Sequence, residues 1–108
     1  MTIRKITKET GEAAILGGAV LGGGGGGSME KGRMNVLGAL EAGEVTLVDI
    51  GDVSPDTVLV TGSAVGAPAA KEAWVEPRDY VRVVEILMEN GCPKPGGFIP
   101  NECGGSSI

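Results

Sequence analysis

Three clusters in this 108-residue chain combine residue types and spacings that could do chemistry. The first is an uninterrupted run of six glycines, Gly22 to Gly27, followed by Ser28. Any six glycines satisfy G-x-G-x-x-G, and the dinucleotide fingerprint needs a strand before the turn, whereas a helical pattern precedes it here. The phosphate-loop pattern fails as well, because Ser28 and Met29 stand where Lys and Ser/Thr are required. No nucleotide is therefore expected. Two readings stay open. In one, backbone N–H groups of Gly24, Gly25, Gly26, Gly27 and Ser28, ahead of a helix N-terminus, hold an anion. In the other, the run is a floppy or tightly packed connection between helices.

The second cluster is Gly66–Ala67–Pro68–Ala69–Ala70–Lys71–Glu72–Ala73–Trp74, which sets two opposite charges in an otherwise apolar loop. Desolvation there would force Lys71 and Glu72 to pair or to shift their pKa values; the plainer reading is a solvated loop tip. The third is Asn101–Glu102–Cys103–Gly104–Gly105, directly after a predicted strand. At the carboxyl end of a sheet, Asn101 and Glu102 would face a ligand crevice, with Glu102 as general base or as ligand of a divalent metal. The alternative is a turn and helix cap. Cys103 is a weaker nucleophile candidate, since the chain has no His to act as its base.

Composition excludes several classes of function. With 14 acidic residues against 9 basic ones, a net charge of −5 and three scattered aromatics, the chain lacks the basic, aromatic surface that grips nucleic acid. No apolar run approaches the roughly 20 residues of a membrane span, and the charged N-terminus makes a poor signal peptide, so the chain reads as cytoplasmic. Cys92 and Cys103 form neither a CxxC nor a Cys/His zinc set and are expected to be free thiols. Hydrophobic residues make up 42%, which argues against general disorder and makes the 20 glycines a local feature.

The elements that must position these clusters follow from periodicity. Thr7 caps an apolar helix running to Leu21, expected to be buried on more than one side, with Gly17 and Gly18 admitting a close backbone. Ser28 caps a second helix, with Met34, Val36, Leu37 and Leu40 on one face, that stops at Gly43. Val45–Ile50 and Val58–Thr61 read as strands covered on both faces. Pro77 opens an amphipathic helix to about Asn90, ended by Gly91, and Phe98–Pro100 reads as a third strand. Gly104 to Ser107 looks like a turn into another helix, which leads us to expect a truncated piece of a longer protein. The whole is an α/β domain over residues 1–108, with helices layered on a small, mostly parallel or mixed sheet.

Taken together and in order, Ala19–Val20–Leu21 with Gly22–Gly27 and Ser28, then Gly66–Ala67–Pro68 with Lys71–Glu72, then Asn101–Glu102–Cys103–Gly104–Gly105–Ser106, resemble the N-terminal domain of the S-methyl-thiohydantoin desulfurase family. The resemblance spans about Thr7 to Ser107. Members occur beside hydantoinase and oxoprolinase genes and continue into a further β-rich domain, so it implies the front part of a larger two-domain protein. It also implies an α/β layer structure, hydrolysis of a five-membered cyclic amide or thioamide, and self-association or completion by a C-terminal domain. In that role loop N–H groups hold an oxyanion or carboxylate, Glu102 moves protons or holds a metal, and Lys71 supplies positive charge. The rival expectation is a non-catalytic subunit or assembly module of a hydantoinase-type complex, or a fragment without activity of its own.

Overall fold

Thr7 and Thr10 fix where the first helix begins in the computed structural model of the chain, which describes residues 3–64, 66 and 75–107. The Thr7 hydroxyl accepts from the Thr10 N–H (3.2 Å) and the Thr10 hydroxyl from the Thr7 N–H (2.8 Å), so two orphan donors of the first turn are satisfied reciprocally. The helix α1 (Lys8–Gly22) ends at Gly23, whose left-handed φ of 57° is a conformation costing a side-chain-bearing residue about 1–2 kcal/mol. The Ser28 hydroxyl accepts from the Lys31 N–H (3.2 Å) and caps α2 (Met29–Ala42), which Gly43 closes as the sequence predicts.

These helices form an antiparallel hairpin, because early positions of α1 meet late positions of α2. A Cβ on Gly11 would lie 2.6 Å from Val36 Cγ1. Arg33 Nε donates to both carboxylate oxygens of Glu12 at 3.0 Å. Ile15 faces Gly32 and is the one large side chain buried outright among the described residues, at 1% exposure. Its burial contributes about 1.5–3 kcal/mol.

The expectation that α1 is buried on several sides gives way to a narrower contact. Gly11, Ile15 and Gly18 are buried, but Leu16, Val20 and Leu21 are 58%, 75% and 77% exposed. Gly18 does sit in the packed stripe, whereas no atom lies within 4 Å of a Cβ placed on Gly17. The stripe follows from spacing: residues 11, 15 and 18 recur every three to four positions and share one helix face.

The strand β1 (Ile3–Lys5), absent from the sequence reading, pairs antiparallel with β2 (Thr46–Val48) in the register Ile3 with Val48, Arg4 with Leu47 and Lys5 with Thr46. The ladder continues through the Ile6 N–H to the Val45 carbonyl (2.9 Å). Both strands are exposed rather than covered on two faces. A 3-10 turn (Ile50–Asp52) follows, capped by the Asp49 carboxylate on the Gly51 N–H (3.0 Å).

Those elements, with residues 102–107, make one compact unit; the described residues of 56–101 make a second. In the second, β3 (Leu59–Val60) and β4 (Gly97–Phe98) pair in parallel, and the connection between them contains α3 (Pro77–Glu89), as parallel strands require. The Thr61 hydroxyl donates to the Ile99 carbonyl (2.7 Å) and extends the pairing by a side chain. Pro77 stands in the first turn of α3, the Glu76 N–H donates to Asp79 Oδ2 (2.7 Å), and Gly91, at φ 97°, follows its end. Arg82 holds Glu85 and Glu89 at 3.2 and 2.9 Å, and these bonds keep its guanidinium pKa raised. The architecture is α/β, with one antiparallel and one parallel strand pair.

Candidate functional site

The six-glycine run is a turn built from left-handed backbone. Gly23, Gly24, Gly26 and Gly27 have φ of 57°, 104°, 76° and 85°, a region that excludes most side chains. The Gly25 N–H donates to the Gly22 carbonyl (3.0 Å) and closes the turn internally. The N–H groups of Gly24, Gly26 and Gly27 donate to no backbone carbonyl among the described residues.

Across this turn lies the segment Glu102–Ser107, which we call the strap. Its Gly104 and Gly105 are buried, whereas Glu102 and Cys103 are exposed. The Gly26 carbonyl accepts from both the Ser106 N–H (3.0 Å) and the Ser107 N–H (3.1 Å), and the Ser106 hydroxyl donates to the Ser28 carbonyl (2.8 Å). The approach is backbone on backbone. A Cβ on Gly22 would lie 2.6 Å from the Cys103 carbonyl oxygen, and one on Gly105 would lie 2.7 Å from the Met29 nitrogen. Methyl groups on Gly26 and Gly32 would collide with Gly104 and with the Gly105 carbonyl. Glycine on both surfaces is what permits this distance.

Gly104 to Ser107 packs its backbone against the glycine turn and the start of α2. The two glycines lie against Gly26 and Gly32, and the N–H groups of Ser106 and Ser107 are spent on the Gly26 carbonyl. Of the two readings of the glycine run, close packing is visible, and the partner is the strap.

Glu102 sits at the head of the strap. A Cβ built on Gly25 would lie 3.8 Å from Glu102 Oε2, so the carboxylate stands beside the middle of the glycine turn. Gly24, Gly25, Gly26, Gly27, Ser28 and Glu102 thus belong to one unit and one neighbourhood. Asn101 is the last residue of the other unit and is exposed. Lys71 and Glu72, with Ala67–Trp74 as a whole, lie outside the described residues. Sequence reasoning missed Ser106, whose bond partner Ser28 is 78 positions away, a separation no local signal reports.

Among the described residues no group of three His, Cys, Asp or Glu side chains could hold a metal ion. Cys92 and Cys103 are free thiols. No helix among those residues is long and apolar enough to cross a membrane. Two concavities flank β1 and β2, one lined by Arg4, Leu47, Val48, Asp49 and Ile50 and the other by residues including Lys5, Ile6, Thr10 and Ala13; no glycine-turn or strap residue lines either.

The model of the S-Me-THD-like N-terminal domain family matches residues 12–108, which takes in most of α1, the glycine turn, α2, β2, the second strand pair and the strap, and leaves out β1. The chain belongs to this family. The S-Me-THD-like match includes every residue singled out above as a site candidate. No curated protein and no solved structure is significantly similar to the chain.

Proposed function

We propose that this S-Me-THD-like domain supplies one wall of the substrate site of a hydrolase acting on hydantoin-like or S-methyl-thiohydantoin-like cyclic amides. The observation that carries the reading is the Glu102 carboxylate held beside Gly25 by a strap bonded to the same turn. On an S-methyl-thiohydantoin, water adds to the ring carbon bearing sulfur, and that carbon then expels methanethiol and becomes the carbonyl of a hydantoin. Glu102 takes one proton from the attacking water and returns it to the departing thiolate, while the second water proton passes from the new hydroxyl to the ring nitrogen as the C=N bond gives way to the carbonyl. The N–H groups of Gly24, Gly26 and Gly27 face charge developing on the ring or a carboxylate substituent. For Asn101, Lys71 and Glu72 a part in the same chemistry is proposed on the family resemblance, Lys71 as a source of positive charge.

The test is Glu102→Gln in the protein that carries this domain, with methanethiol release and the ring product followed together. Loss of a general base lowers turnover by about 10²–10⁴-fold. Near-normal turnover by a folded variant removes Glu102 from the chemistry and with it this reading.

The exposed apolar residues of α1, Leu16, Val20 and Leu21, favour a second reading as an assembly module of a hydantoinase-type complex. Native mass measurement separates the two. A chain that is soluble only with a second polypeptide supports the module; a monomer that turns over or binds the heterocycle supports the site.

A further inference from the structure

We infer that Ser106 is a positioning residue: its hydroxyl pins the strap to the entry of α2 and thereby sets the Glu102 carboxylate beside Gly25. The inference rests on the reading of Glu102 as the proton-moving group.

Ser28 and Ser106 divide their labour. The Ser28 hydroxyl is committed to the Lys31 N–H as a helix cap, which leaves the Ser28 carbonyl to accept from Ser106 Oγ at 2.8 Å. The Ser106 side chain fills the place a Cβ on Gly27 would take, so glycine at 27 is what admits this hydroxyl. The N–H groups of Ser106 and Ser107 add two bonds to the Gly26 carbonyl, and the strap is thus tied on both sides of Gly27.

Upstream of the pin lie Gly105, Gly104 and Cys103, and two of these three have the widest backbone freedom of any residue type. A tether of four residues spans up to about 14 Å when extended. Without the Ser106 hydroxyl the strap keeps only its two bonds to the Gly26 carbonyl and the packing of its glycines, and the carboxylate upstream samples positions away from its seat by Gly25. The pin acts on Glu102 through the chain, without touching it.

The experiment compares Ser106→Thr, which keeps the hydroxyl, with Ser106→Val, which has the same shape without it. Ser106→Ala is read in the same way, with less bulk to accommodate. The readout is the nuclear Overhauser contact between the Gly25 α-protons and the Glu102 side chain, with the Gly11 to Val36 contact as the control for an intact hairpin. The contact is expected in the wild-type protein and in Ser106→Thr, and is expected to vanish in Ser106→Val and Ser106→Ala while the control persists. Its survival without the hydroxyl, or its loss in Ser106→Thr with the control intact, overturns the inference.

Kinetics supply the second readout where Glu102→Gln abolishes turnover. Displacing a catalytic group by about an ångström costs up to 10²-fold, so Ser106→Val lowers kcat about 10- to 100-fold with KM within twofold, and Ser106→Thr restores it. An unchanged kcat overturns the positioning role. A Glu102→Gln enzyme that still turns over overturns the functional reading instead, and leaves the contact measurement to decide the pin.

Discussion

Replacing Gly32 by alanine tests the strap where the structure makes its sharpest statement. In an open helix interior this change is favourable, by about 0.5–1 kcal/mol, because alanine loses less backbone entropy on folding. At Gly32 the new methyl would fall on the Gly105 carbonyl oxygen, 2.9 Å from the carbonyl carbon and 3.4 Å from Ile15 Cγ1. The protein then follows the cheaper of two courses. Keeping the strap in place costs the strain of overpacking, about 1–3 kcal/mol. Releasing it forfeits three hydrogen bonds at about 0.5–1.5 kcal/mol each. Gly38, in the same helix and exposed, has no atom within 4 Å of its added Cβ and serves as the reference for propensity alone. Subtracting the two substitutions cancels the propensity gain and leaves Gly32→Ala less stable than Gly38→Ala by about 1–3 kcal/mol. Urea unfolding followed by circular dichroism measures both, and in thermal scans the gap is about 4–8 °C per kcal/mol. The Ser106 and Ser107 amides should also lose exchange protection in Gly32→Ala alone. If Gly32→Ala stabilises the chain as much as Gly38→Ala does, the strap does not lie where it is described and the reasoning fails.

Two further pairs of substitutions check the same frame. Gly24→Ala and Gly26→Ala both place alanine at positive φ (104° and 76°), at about 1–2 kcal/mol, but only the Gly26 methyl meets the Gly104 backbone, so Gly26→Ala should be the more damaging by urea midpoint. Thr7→Ala removes the hydroxyl that accepts from Thr10 and should cost about 1 kcal/mol, read from the same unfolding curves, with Thr7→Ser close to wild type.

The helix boundaries were legible because their signals are local. Thr7, Ser28 and Pro77 stand at the three helix starts, and Gly43 and Gly91 at two of the ends, and each acts on donors or acceptors within a few residues. The pieces that escaped are held by distant partners. The strand Ile3–Lys5 carries two charges in three residues and is a strand only because Thr46–Val48 supplies its ladder. The strap contact of Gly104 to Ser107 forms because the glycine surface around residues 22–32, distant in sequence, accepts its backbone. The strands near residue 47 were expected to be covered, since Leu47 and Ile50 are apolar; in the structure these two are 59% and 64% exposed. Apolar type reports that a face tends to be covered, not which element covers it. Of the site, Glu102 and the glycine turn were named from sequence, but the bond that joins them through Ser106 was not.

The glycine run can be read position by position, and one member stands apart. Gly23, Gly24, Gly26 and Gly27 are required by positive φ, and Gly22 by the Cys103 carbonyl oxygen 2.6 Å from its would-be Cβ. Gly25 has no positive φ, and its would-be Cβ meets only the Gly22 carbonyl oxygen at 3.4 Å and Glu102 Oε2 at 3.8 Å, ordinary contact distances. The fold therefore tolerates alanine at 25, and reduced freedom of the unfolded chain offers it about 0.4–1 kcal/mol. A requirement for glycine at this position must come from what happens beside the Glu102 carboxylate. Gly25→Ala should leave the unfolding midpoint unchanged or slightly raised, yet lower turnover on the cyclic amide by crowding the carboxylate against its substrate. Loss of stability without loss of turnover would show that Gly25 serves only the turn; loss of turnover in a chain of full stability ties the middle of the glycine run to the chemistry at Glu102.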